Sequence, residues 1–67
     1  MIKIQVNNTE KLVEESITIS ELLSNLNQAE QGIAIAINNQ VIFKKDWTNT
    51  CLKLNDKLLI IQATQGG

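Results

Sequence analysis

Apolar and polar residues alternate from Ile2 to Val6, with Lys3 and Gln5 set between Ile2, Ile4 and Val6. A period of two puts successive side chains on opposite faces and predicts a half-buried strand. Asn7-Asn8-Thr9 follows, and Asn accepts the positive φ that a tight hairpin turn requires. The segment from Glu10 to Glu15 then returns antiparallel, with Leu12 and Val13 as its apolar residues. Its polar ends fit an edge strand, where charge discourages pairing with other chains.

The period changes after Thr18-Ile19-Ser20-Glu21. These four residues match a capping box, with the Thr18 hydroxyl accepting from the Glu21 N–H and the Glu21 carboxylate from the Thr18 N–H. Ile17 and Leu22 sit where a hydrophobic staple requires them. Loss of the Thr18 cap costs about 1 kcal/mol. Ile19, Leu22, Leu23 and Leu26 recur at i, i+3, i+4 and i+7, which is one apolar stripe of a helix. Such a helix covers a sheet with that stripe and leaves Ser24, Asn25 and Asn27 in water.

Gly32 closes the polar connection, and Ile33-Ala34-Ile35-Ala36-Ile37 alternates large and small apolar residues. This pattern reads as a buried strand with one face close to a neighbour. Asn38-Asn39 is a second turn signal, followed by a short strand from Gln40 to Phe43. Lys44-Lys45-Asp46 makes a polar corner before Trp47, whose ring is expected against the sheet edge. Asn55-Asp56 marks another turn, and Lys57 to Ala63 is the last strand, with four consecutive apolar residues. No Pro interrupts the chain, and neither a repeat nor a low-complexity segment is read. The order strand, strand, helix, strand, strand, strand predicts an α+β fold with one helix across a sheet.

Composition narrows the chemistry. Sixty-seven residues allow one small domain, which hides only about 60% of its unfolded surface. Hydrophobic residues form 43% of the chain, enough for a packed core. All six basic residues are Lys, the net charge is −1, and Phe43 and Trp47 are the only aromatics. A basic stripe with stacking aromatics is therefore missing, which argues against a nucleic-acid partner. With no His, imidazole metal ligands and the commonest general base are both absent. A single cysteine, Cys51, allows neither an internal disulfide nor a multi-thiolate metal site. No run has the length of a membrane span, and the alternating N-terminus lacks the h-region of a signal peptide. The expectation is a soluble intracellular domain, with no membrane partner, no metal and no catalytic residues of its own.

The C-terminal residues are the unusual ones. Thr64 and Gln65 lead into Gly66-Gly67. Alone, this dipeptide also fits a frayed end or a linker remnant. Its chemistry is nevertheless specific. Gly66 and Gly67 lack Cβ atoms and can thread a slot too narrow for other residues. Four extended residues reach roughly 13–14 Å, enough to present an unhindered carboxylate inside another protein. A carboxylate resists nucleophilic attack because oxide is a poor leaving group, so a partner must activate it with ATP. A domain used in this way is a substrate and needs no catalytic side chains.

Thr18 to Leu23, Ala34 to Val41 (AIAINNQV), Trp47, Asp56 to Ile61 (DKLLII) and Gly66-Gly67 together resemble the ThiS family, ubiquitin-like sulfur carriers of thiamine biosynthesis. The resemblance covers nearly the whole chain. It implies a β-grasp fold: a mixed four- to five-stranded sheet with one helix packed across one face, residues 1–63 forming the domain and 64–67 a flexible tail. It also implies that Gly67 carries the sulfur, adenylated at its carboxylate and converted to a thiocarboxylate, while Gly66 provides steric access. No cofactor is bound, and ATP is used by the activating partner. The implied partners are an adenylating, ThiF-like enzyme, a ThiG-like thiazole synthase and a sulfur donor such as a cysteine desulfurase, in the cytoplasm or the plastid stroma. Carriers for molybdopterin synthesis or tRNA thiolation, protein modifiers and plain interaction modules share parts of this pattern and stay open.

Two positions depart from the family. Its turn before the last strand is commonly Gly-Asp, here Asn55-Asp56, and Asn is the next-best residue for positive φ. Cys51 matches no family motif and reads as a small buried hydrophobe ahead of a sulfur-relay thiol. The last strand raises a second site. If Leu58 and Ile60 face the helix, Leu59 and Ile61 face away and lead toward Ala63 as an exposed apolar patch. That patch is expected to bind the partners, the alternative being cover by a loop or a neighbouring molecule. Lys44 and Lys45, and the cluster Glu10, Glu14 and Glu15, read as solvated charge.

Overall fold

A computed structural model describes residues 1–62. Within them the chain forms β1 (Ile2–Val6), β2 (Thr9–Val13), α1 (Ile19–Asn25), β3 (Ile33–Ile37), β4 (Gln40–Ile42) and β5 (Lys57–Gln62), with a 3₁₀ turn at Lys44–Asp46. The strands make one mixed sheet in the order β2-β1-β5-β3-β4. The last strand is thus the central one, parallel to β1 and antiparallel to β3. Ala63, expected as its final residue, lies outside the described residues. No helix among the described residues is long and apolar enough to cross a membrane.

Both hairpins turn on an Asn pair. Asn7 and Asn38 have φ 50°, and Asn8 and Asn39 have φ 70°, the two positive values of a type I′ turn that matches the twist of its strands. The strings Ile2-Lys3-Ile4-Gln5-Val6-Asn7-Asn8 and Ile33-Ala34-Ile35-Ala36-Ile37-Asn38-Asn39 share their large and turn positions. Turn geometry also sets where β2 stops. Val6 pairs with Thr9 and Ile2 with Val13, so β1 is used up at Val13 and Glu14-Glu15 fall outside the strand. Likewise β4 ends at Ile42, and Phe43 begins the 3₁₀ turn.

The helix forms at its cap. Glu21 N–H donates to Thr18 Oγ1 at 3.1 Å and Thr18 N–H to Glu21 Oε1 at 3.0 Å, the reciprocal capping box. The next two free donors, Ile19 N–H and Ser20 N–H, reach the carbonyls of Thr50 and Trp47. Every amide that the first turn leaves without a partner inside the helix is therefore satisfied. At the other end Asn27 takes φ 56°. Its N–H donates to the Ser24 carbonyl and that of Gln28 to the Leu23 carbonyl, a Schellman stop with Asn in place of Gly.

The apolar stripe of α1 faces the even-numbered side chains of β1 and β5 and the odd-numbered ones of β3. Ile4, Ile19, Leu22, Leu23, Ile35, Trp47, Leu52 and Leu58 are fully buried there. Burying one such aliphatic side chain is worth about 1.5–3 kcal/mol. The indole of Trp47 fills this core, with its Nε1 donating to the Ile42 carbonyl of edge strand β4 at 2.9 Å.

Candidate functional site

The strand leading toward Gly66-Gly67 is held from both sides. On the β3 side, Asn38 N–H donates to the Lys57 carbonyl at 2.8 Å, and Lys57 N–H to Asn38 Oδ1 at 3.0 Å. Asn38 Nδ2 donates to Asp56 Oδ1 at 3.0 Å, while Asp56 Oδ2 accepts from Lys53 N–H at 2.8 Å. Asp56 thereby closes the turn before β5 and ties it to the β3–β4 hairpin. Asn55 has φ 69°, so Asn meets the backbone demand that Gly meets more cheaply.

Alternation along β5 then divides its side chains. Leu58 is 1% exposed against the helix, whereas Leu59 is 39% and Ile61 49% exposed on the opposite face. Register decides what lies beside them. Ala36 pairs with Leu59 on one side and Val41 on the other, and Ala34 pairs with Ile61. A row Leu59–Ala36–Val41 thus crosses three strands, beside a second pair Ile61–Ala34. Ala36 is buried because both neighbours are larger, and Val41 stays open to solvent. With methyl groups between longer side chains, this half of the face is a shallow apolar trough. Phe43, the residue that follows β4, is exposed as well.

The other half is mixed. Lys3, Gln5 and Glu10 share this face on β1 and β2, with Lys57 at the start of β5 and exposed Leu12 paired with Lys3. Lys3 Nζ lies 3.6 Å from Glu10 Oε2, both side chains being more than half exposed, so the pair adds little stability.

Leu59 and Ile61 are therefore brought together, whereas Ala63, Gly66 and Gly67 fall outside the described residues. Ala34, Ala36 and Val41 were missed as parts of the same surface. The large–small alternation of β3 signalled a crowded face, but only the pairing with β5 shows which residues crowd it. Cys51 corrects the sequence-based expectation of a small buried hydrophobe. Its residue is exposed, bridging Thr18, while Leu52 is buried and donates its N–H to the Ile17 carbonyl at 2.8 Å. Extended backbone turns neighbouring side chains to opposite sides, and the larger one took the core. Among the described residues no three His, Cys, Asp or Glu side chains gather to hold a metal ion.

Comparison with known proteins agrees with this geometry along the chain. The family model that matches, over residues 2–67, is that of the ThiS family. The sulfur carrier protein ThiS of Escherichia coli K12 is 36% identical over 50 residues, which is 75% of this chain and 76% of that protein. A crystal structure of the thiamine biosynthesis protein ThiS from Geobacter metallireducens superposes with a TM-score of 0.86 at 26% identity, covering 98% of this chain and 100% of that one. A solution structure of a thiamine biosynthesis protein from the same organism gives 0.73 at 26% identity, over 98% and 87% of the two chains.

Proposed function

The chain belongs to the ThiS family, and on that premise we propose that it is a sulfur carrier of thiamine biosynthesis acting through Gly67. The observation that carries the proposal is the extent of the family match, which runs through the sheet and onward over Gly66-Gly67. The chemistry follows from the carboxylate. An activating enzyme attaches AMP from ATP to the Gly67 carboxylate and releases pyrophosphate, making a carbonyl with a good leaving group. The terminal sulfur of a donor's persulfide then displaces AMP to give an acyl disulfide. A thiol attacks the donor-side sulfur to leave a disulfide and release the thiocarboxylate, and this passes its sulfur to a thiazole synthase in the cytoplasm. Gly66 leaves room for the tail in each partner's site. The chain is the cosubstrate in these steps and the partners are the catalysts.

The trough of Leu59, Ile61, Ala36 and Val41 supports a docking role, since partners that must both find one tail need a shared surface beside it. Intact mass tests the proposal. The protein is incubated with host extract, ATP and a sulfur source, next to a variant ending at Gly66. A gain equal to exchanging one oxygen for sulfur, absent from the shortened variant, is the expected result. Gly67→Ala should melt as the parent does and fail to be activated. An unchanged mass in an extract that activates a known carrier overturns the proposal, and heavier adducts linked through Gly67 would indicate a protein modifier.

A further inference from the structure

Main-chain pairing between β1 and β5 stops before β5 does. Gln5 N–H donates to the Asp56 carbonyl and Asn7 N–H to the Leu58 carbonyl, each at 2.9 Å. In a parallel ladder that continued, the next bond would run from Ile60 N–H to the Asn7 carbonyl. Asn7 cannot supply that carbonyl, because at φ 50° it already turns the chain into the β1–β2 hairpin. Its side chain takes the place instead. Ile60 N–H donates to Asn7 Oδ1 at 2.8 Å, and Asn7 Nδ2 reaches back to the Ile60 carbonyl at 3.5 Å, a weak contact at the limit of bonding.

We infer that Asn7 is a positioning residue for the C-terminal tail, its side-chain amide fixing β5 at Ile60 on the β1 side. This inference rests on the carrier function proposed above. Past Asn7, the β5 main chain is paired on its β3 side alone, through Ile61 with Ala34 and Gln62 with Ile33. Among the described residues the Asn7 bond is therefore the last on the β1 side of β5. Without it the end of β5 opens more often, and a partner must order that segment as it binds. Ordering lost before binding raises KM and leaves kcat nearly unchanged.

Two variants separate the clamp from the turn. Asn7→Gly keeps the positive φ and removes both side-chain contacts, whereas Asn7→Asp tolerates the same φ and keeps the acceptor for Ile60 N–H. In the full chain, amide exchange at Ile60 should accelerate about tenfold or more in Asn7→Gly and return near the parent rate in Asn7→Asp. With the adenylating enzyme that activates the parent chain, Asn7→Gly should raise KM for the carrier roughly three- to tenfold, with kcat little changed and Asn7→Asp restoring KM. Unchanged exchange at Ile60 in Asn7→Gly, or no recovery in Asn7→Asp, overturns the clamp. Faster exchange with unchanged KM overturns the positioning role and leaves the carrier function standing. A parent chain that is never adenylated overturns the carrier function, and the positioning role with it, while exchange still reports on the clamp.

Discussion

The indole N–H of Trp47 and the main-chain carbonyl of Ile42 are joined at 2.9 Å, so the largest buried side chain is hydrogen-bonded to a strand on the sheet edge. The ring excludes water from the core while its one polar atom finds a partner at the core's rim. Beta strand β4 has only three residues and pairs on one side with β3. Anchoring it from the core helps to keep Val41 in line with Ala36 and Leu59.

Trp47→Phe removes that donor and leaves space where the larger ring was. The expected loss is about 2–3 kcal/mol, from the cavity and the carbonyl left without its donor. Because each kcal/mol shifts the melting point of so small a domain by about 4–8 °C, far-ultraviolet circular dichroism should record a fall of about 8 °C or more. A fall of a degree or two would mean that the edge strand holds itself.

The capping box makes a prediction about coupling. Thr18→Ala and Glu21→Ala each remove one of two reciprocal bonds, and Thr18→Ala alone should cost about 1 kcal/mol. The double variant should lose less than the sum of the single losses, because either substitution already opens the box. Urea titrations of all three test this, and strict additivity would show two independent contacts.

Leu58 and Leu59 are neighbours in sequence on opposite faces of one strand. Leu58→Ala should destabilise the protein by about 2–4 kcal/mol through a cavity. Leu59→Lys should change stability by less than about 1 kcal/mol, yet weaken binding of the activating partner by tenfold or more if the trough is the docking surface. Melting curves and titration calorimetry separate the two effects. Partner affinity unaltered by Leu59→Lys would remove the trough from the docking site.

Cys51 is exposed, so a thiol reagent should label it fully under native conditions, without waiting for unfolding. Cys51→Ala should leave the melting point within about 2 °C of the parent, since substitutions on the surface change little. Slow labelling limited by the unfolding rate would return Cys51 to the core.

Much of the fold was legible because it is encoded over short spans. The capping box from Thr18 to Glu21, the Asn7-Asn8 and Asn38-Asn39 turns and the apolar stripe of α1 each depend on residues within a few positions of one another. Along β5 only the alternation was legible, because four consecutive apolar residues leave open which pair faces the helix, and the burial of Leu58 in the structure decides it. Cys51 was misread because that segment shows no period of its own. It pairs with Thr18 only at a single bridge, and which of Cys51 and Leu52 turns inward follows from how the loop lies along the helix start.

The strand and helix periods, the Thr18 cap and the Asn-Asn turns are set by neighbouring residues alone, because each follows from local backbone and side-chain preferences. The tertiary structure alone decided that the last strand inserts between β1 and β3, because pairing between distant segments depends on how the whole apolar surface is buried. That insertion sets Leu59 beside Ala36. It also brings Asn7 to Ile60, residues 53 positions apart. A local pattern states which way a side chain points, and only the closed sheet states what it meets there.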